Sequence, residues 1–205
     1  MARLHSGRAL VWALATLLLV LSPTATSLAE ESRSRQDWGL EALMAELGRV
    51  QHSKARFVEV KFLKILNKPL ELTGTLEYRA PDHLERRTVT PKPESFVVDG
   101  DRLLLESARG QRRTLALQDN AVLWAFVESI RSTLKGDLAT LQRFYSVALD
   151  GGPENWRLSL TPKEPRMGSI ISQIQIAGSG GRIERIEIRE AQGDRSVMTV
   201  HEDGS

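Results

Sequence analysis

The sequence predicts a mainly β, α+β chain in which an antiparallel sheet carries two or three helices on one face. Three observations predict it. Apolar residues alternate with polar ones over most of the chain, which is the period of a half-buried strand. That period gives way to three-and-four spacing in only two main stretches, the mark of amphipathic helices. Finally, short turns rich in Gly, Pro and Asn separate successive strand runs, leaving no room for the helical crossovers a parallel sheet needs. With 205 residues, 41% hydrophobic residues and no cysteine, the chain is long enough for one core and depends on that core rather than on disulfides.

The first helix is expected from Asp37 to about Val50, where Leu40, Leu43, Met44, Leu47 and Val50 form one stripe behind Asp37 as N-cap. From Arg56 the period becomes two. Val58, Val60 and Phe62 alternate with Glu59 and Lys61, and after the Asn67-Lys68-Pro69 turn Leu70, Leu72, Leu76 and Tyr78 alternate with Glu71, Thr73, Thr75 and Glu77. Shorter strands are expected at 84–89, 95–98, 103–106 and 113–117, separated by Pro91, Pro93, Asp99-Gly100 and Gly110. Helical spacing returns at 119–134 through Val122, Leu123, Phe126, Val127, Ile130 and Leu134, capped by Asp119 or Asn120 and stopped by Gly136. A short helix from Asp137 and a strand at 144–149 follow, and after Gly151-Gly152-Pro153 come strands around Trp156–Leu160, Ile170–Ile176, Ile183–Ile188 and Ser196–His201.

The first 29 residues read as a secretory signal peptide: Arg3 and Arg8 without an acid, the apolar run Ala9–Leu21, and small residues at Ser27 and Ala29 before a cut. Residues 30–205 are then a single mature domain. Losing Arg3 and Arg8 lowers the 28 Lys and Arg to 26, equal to the 26 Asp and Glu, so the mature chain is formally neutral and nucleic acid is not an expected partner. Glu30 follows the cut where a lipid-anchored protein would have Cys, and the expected compartment is the periplasm. The chemistry of catalysis is missing from the pattern. His52, His83 and His201 lie far apart without metal-ligand spacing, there is no G-x-S-x-G elbow, and Gly178-Ser179-Gly180-Gly181 joins two strands and so reads as a hairpin turn. No enzyme activity, cofactor or metal is expected. The basic runs Arg86-Arg87 and Arg109–Arg113 read as solvated strand or loop in preference to a surface for lipid headgroups, because Glu85, Glu94 and Glu106 lie beside them.

The segment Phe57–Leu104 resembles the LolA-type periplasmic carriers of outer-membrane lipoproteins. That family's F-x-Q, Gly, R-P, second Pro and S-D-G with a following apolar pair stand here as Phe57-Val58-Glu59, Gly74, Ala80-Pro81, Pro91 and Val98-Asp99-Gly100 with Leu103-Leu104. Farther on, Asn155–Lys163 looks like the family's apolar strand ending in L-T-P-K. The resemblance implies a strongly curved, incomplete antiparallel β-barrel whose apolar cavity, covered by two or three helices, accepts the acyl chains of a lipoprotein or another acylated lipid. It also implies an inner-membrane donor complex or exporter, an outer-membrane acceptor and a monomeric carrier that chaperones cargo for outer-membrane biogenesis. The expected lipid-binding residues are Val58, Val60, Phe62, Leu72, Leu76, Tyr78, Ala80, Trp124, Phe126 and Leu158. The helices at 37–50 and 120–134 are the candidate lid.

Three departures bear on cargo. Ala80 stands where the family has Arg, and Arg79 lies one place earlier, which on a strand points its side chain to the opposite face from Leu72, Leu76 and Tyr78. The phenylalanine motif ends in Glu59 instead of Gln, and the chain ends at Ser205 without the family's extra C-terminal segment. A lipid- or stress-sensing module that regulates a membrane partner is the alternative reading of the same fold.

Overall fold

The computed structural model describes residues 38–202, so the signal peptide and the Asp37 cap lie outside the described residues. A first helix, α1 (Leu40–Gly48), precedes six strands: β1 (His52–Phe62), β2 (Leu70–Arg79), β3 (His83–Thr90), β4 (Glu94–Asp99), β5 (Arg102–Glu106) and β6 (Arg112–Ala116). A 3-10 turn (Leu117–Asp119) leads into α2 (Ala121–Lys135) and α3 (Leu138–Phe144). The chain then forms β7 (Tyr145–Asp150), β8 (Trp156–Pro162), the one-turn helix α4 (Pro165–Gly168), β9 (Ile171–Ser179), β10 (Arg182–Glu190) and β11 (Arg195–Glu202). All eleven strands join one curved, unclosed antiparallel sheet in the order β6-β5-β4-β3-β2-β1-β11-β10-β9-β8-β7. The first and last strands therefore pair in its middle, Phe57 opposite Val200, while β6 and β7, neighbours along the chain, lie at opposite edges.

Local chemistry explains the helix limits. The Asn120 carboxamide oxygen accepts the Leu123 N–H at 3.0 Å, satisfying a donor that a helix start leaves free, and Gly136 ends the helix at φ 70°, a left-handed conformation suited to glycine. Asp137 caps α3 in the same way through the Thr140 N–H, at 2.9 Å. The sequence patterning does not announce α4, yet its start is conventional: Pro165 occupies the first turn and the Glu164 carboxylate accepts the Met167 N–H at 2.9 Å.

Strand register decides which residues share a face. In one half of the sheet Val98 and Leu103 pack with Val127 of α2, and in the other Leu158, Leu160, Ile174 and Ile176 pack with Leu43, Met44 and Leu47 of α1. Following the ladder inward from Val98 leads through Leu84 and Tyr78 to Ser53, and from Ile176 through Ile186 and Met198 to Glu59. Both paths reach the odd-numbered positions of β1, so Ala55, Phe57 and Glu59 face the helices with Leu72, Gly74, Leu76 and Tyr78. Two glycines on this inner face lie under aromatic rings of the adjoining strand: a Cβ at Gly74 would meet the Phe57 ring at 2.8 Å, and one at Gly178 the Trp156 ring at 2.7 Å. Such flattened cross-strand pairs suit a strongly curved sheet.

Candidate functional site

Helical cover divides the inner face into sealed and open parts. Trp156, Leu158 and Leu160 are at most 1% exposed beneath α1 and α3, each contributing about 1.5–3 kcal/mol by burial. Along the middle strands the inner face is incompletely covered: Leu72 and Leu76 on β2, Ile186 and Ile188 on β10, and Met198 and Val200 on β11 are only half-buried. Phe96 on β4 is 40% exposed. These positions leave apolar side chains partly uncovered on both sides of β1, with Ile186 and Met198 adjoining directly across β10 and β11. Trp124 of α2 packs against both the β3–β6 and the β7–β10 clusters and stacks edge-on with Phe144 of α3 at 5.2 Å, so α2 bridges the two halves.

One charged pair interrupts this surface. Glu59, 4% exposed, accepts from Arg86 at 2.6 Å, and the Arg86 guanidinium lies 4.8 Å above the Phe57 ring. The ladder sets Arg86 beside Leu76, so the basic pair divides: Arg86 points inward while Arg87 pairs with Glu85 on the outer face. Arg86 Nε and the hydroxyl of buried Thr88 have no hydrogen-bond partner among the described residues. The inner face thus carries charge next to, although not on, β2.

A match between residues 33–201 and the model of the family described as outer membrane lipoprotein carrier protein LolA-like settles the lineage. The chain belongs to the LolA-like family. No curated protein sequence matches the LolA-like chain. Among solved structures it is similar to a LolA superfamily protein from Nitrosomonas europaea, at 10% identity over 82% of this chain and 91% of that one, with a TM-score of 0.43. It is similar to a putative outer membrane lipoprotein-sorting protein domain from Vibrio parahaemolyticus, at 11% identity over 87% and 92% of the two chains, TM-score 0.38. It also resembles a chain in the MucA/MucB complex of Pseudomonas aeruginosa, at 15% identity over 81% of this chain and 56% of that one, TM-score 0.44.

The LolA-like chain separates the residues that sequence reasoning grouped together. Leu72, Leu76 and Tyr78 lie on the inner face, with Trp124 and Phe126 of α2 packed over its clusters. Leu158 lies on the same face but is fully buried in the sealed part. Ala80 falls in the turn after β2, where its N–H donates to the Gln51 carbonyl at 2.9 Å. Val58, Val60 and Phe62 are a correction: they lie on the outer face, because Phe57 rather than Val58 is registered with Gly74. The patterning misled because it treats Glu59 as solvent-facing. The burial of Glu59 rests chiefly on a 2.6 Å ion pair with an arginine 27 residues away, beside a longer 3.9 Å contact to Lys61, and periodicity along one strand does not register the cross-sheet partner.

Besides Val58, Val60 and Phe62, the outer face carries charged side chains gathered around two acids. Glu77 lies within 3.5 Å of His52, 3.4 Å of Lys54 and 3.3 Å of Arg79. Burial pushes its pKa up, but the hydrogen bond and charge of Lys54, reinforced by Arg79 and His52, prevail and hold it below the ordinary glutamate value. Arg79 is thereby on the outside, as its parity on the strand implies. Glu187 of β10, 6% exposed, similarly collects Arg189 at 2.9 Å, Arg185 at 3.3 Å and Arg195 at 3.8 Å. Burial again opposes ionisation, and the arginines outweigh it, so the Glu187 pKa is lowered.

Proposed function

We propose that this protein is a carrier that binds the acyl chains of a lipoprotein or another acylated lipid against the open part of its inner face. The observation that carries this reading is the row of half-buried apolar side chains on β2, β10 and β11, arranged between sealed clusters under helices that can cover a chain laid along it. Burying an acyl chain gains about 0.8 kcal/mol per methylene, so even partial coverage outweighs the ordering of a flexible ligand. Binding an acyl chain needs no reacting group. In this reading residues 1–29 direct export, residues 30–205 work in the periplasm, and a donor at the inner membrane and an acceptor at the outer membrane exchange the cargo. Leu72, Leu76 and Tyr78 line the acyl path, and Trp124 and Phe126 belong to its cover.

Purification from the native host followed by lipid extraction and mass spectrometry identifies the cargo. The residue-level test compares Leu76→Glu with Arg79→Ala for binding of a fluorescent fatty-acyl probe, with circular dichroism to confirm folding. Leu76→Glu is expected to weaken binding at least about ten-fold, the equivalent of about 1.4 kcal/mol, while Arg79→Ala stays near wild type. Equal effects, or protein that never carries lipid nor takes up the probe, would overturn the reading.

A further inference from the structure

The outer face holds a second feature that acyl-chain carriage does not use. Arg157 of β8, Gln175 and Ala177 of β9, and Arg185, Glu187 and Arg189 of β10 line a hollow of about 290 Å³. Three guanidiniums against one carboxylate leave it with a surplus of two positive charges, and Arg195, outside the lining, lies 3.8 Å from the same Glu187 carboxylate. Cross-strand register produces the convergence: Arg157 is opposite Ala177, which is opposite Arg185, while Glu187 is opposite Gln175.

Glu187 is the unusual member. A carboxylate on a solvated strand face normally extends into water, yet this one is 6% exposed, with Arg189 Nε donating to one oxygen and an Arg185 terminal nitrogen to the other. Those two bonds use a fraction of the five N–H donors each guanidinium carries, and the side chains of Arg185 and Arg189 retain about half their exposure, so the remaining donors are available at the surface. Arg157 makes no ion pair among the described residues, although Asp150, Glu154 and Glu184 border a neighbouring hollow that it also lines. Gln175 completes the floor, with its amide nitrogen 3.4 Å from the Ser159 hydroxyl.

We propose that this hollow is a binding site for a phosphate group, in which Arg157, Arg185 and Arg189 supply the donors and the buried Glu187 carboxylate holds Arg185 and Arg189 in position. Planar guanidiniums match phosphate oxygens by paired hydrogen bonds, and three of them around a concave surface favour a compact multivalent anion over a dispersed one. A phosphate could belong to a lipid headgroup at a membrane surface or to a soluble phosphate compound. Both present the same chemistry to these side chains.

The test titrates the purified protein with inorganic phosphate, observing arginine side-chain N–H signals by NMR, and in parallel measures flotation with vesicles of phosphatidylcholine alone or mixed with phosphatidylglycerol. Phosphate is expected to shift the Arg157, Arg185 and Arg189 signals, and Arg157→Gln to weaken it about ten-fold. Arg87→Gln, an exposed arginine on the same outer face but on β3, should leave it unchanged. Flotation with the phosphatidylglycerol mixture that is lost in Arg157→Gln assigns the phosphate to a headgroup, and phosphate binding without flotation assigns it to a soluble compound. No shift and no flotation, equal losses from Arg157→Gln and Arg87→Gln, or binding of a carboxylate-rich peptide in preference to phosphate would overturn the proposal.

Discussion

Glu59 and Arg86 show how a single residue changes what a strand's pattern means. The alternation in β1 is genuine, but its polar-looking member is inside and its valines are outside. Removing Arg86 would leave a carboxylate that is 4% exposed beside Phe57 with the longer 3.9 Å contact to Lys61 as its remaining ion pair. Arg86→Met is therefore expected to destabilise the fold by about 2–3 kcal/mol in urea titrations, somewhat below the cost of breaking a fully buried pair because Arg86 keeps a quarter of its side-chain exposure. Glu59→Gln combined with Arg86→Met should recover most of that loss, since the orphaned charge is gone; a double variant no better than the single one would show that the pair is not what holds this region. At this scale the sequence was legible wherever a residue's neighbours along the chain determine its role, as at Asn120 and Gly136. It was opaque at Glu59, whose partner comes from two strands away.

Elements were more readable than the contacts between them. Each expected strand is present, most with limits one to four residues wider than the patterning suggests because ladder hydrogen bonds continue past the last apolar residue, while those expected at 113–117 and 144–149 are shifted by one residue, Leu117 and Phe144 belonging to the adjoining helical turns. The helix α4 escaped because one turn offers no period to detect. What patterning along α2 does not reveal is its attachment. Arg131, 4% exposed in the midst of an apolar helix, donates to the carbonyls of Asp82, at 3.0 Å, and of Gly100, tying α2 to the turns that follow β2 and β4. Hydrogen bonds from a charged donor contribute about 1.5–3 kcal/mol each. Arg131→Met is expected to raise amide hydrogen exchange in α2 while leaving the β1–β11 ladder protected. If α2 is a lid, the same variant should accelerate acyl-probe exchange; unchanged protection in α2 would show that the helix is held by packing alone.

For the molecule as a whole, the sequence shows an antiparallel α+β chain but not where the sheet begins and ends. Local turns account for nine of its hairpin-like or short connections, whereas the central pairing of β1 with β11 joins residues more than 130 positions apart and is decided by matching faces, Phe57 with Val200 and Glu59 with Met198. The unclosed edge follows from the same topology, since the helical segment 117–144 runs between the β6 and β7 edges where an additional ladder would have closed a barrel.

That arrangement separates covalent from structural continuity. The backbone crosses between the two halves through the helical segment, whereas the seam that unites them, from Ala55–Glu202 to Phe62–Arg195, is made only of hydrogen bonds and packing. A protease site inserted between Gly136 and Asp137 should thus yield, after cutting, two fragments that travel together through gel filtration under native conditions and part only in denaturant. Fragments that separate in buffer would contradict this. The protein would then be, in practice, a reconstitutable two-piece molecule, with its natural point of scission in the helices and its zipper at the opposite ends of the chain.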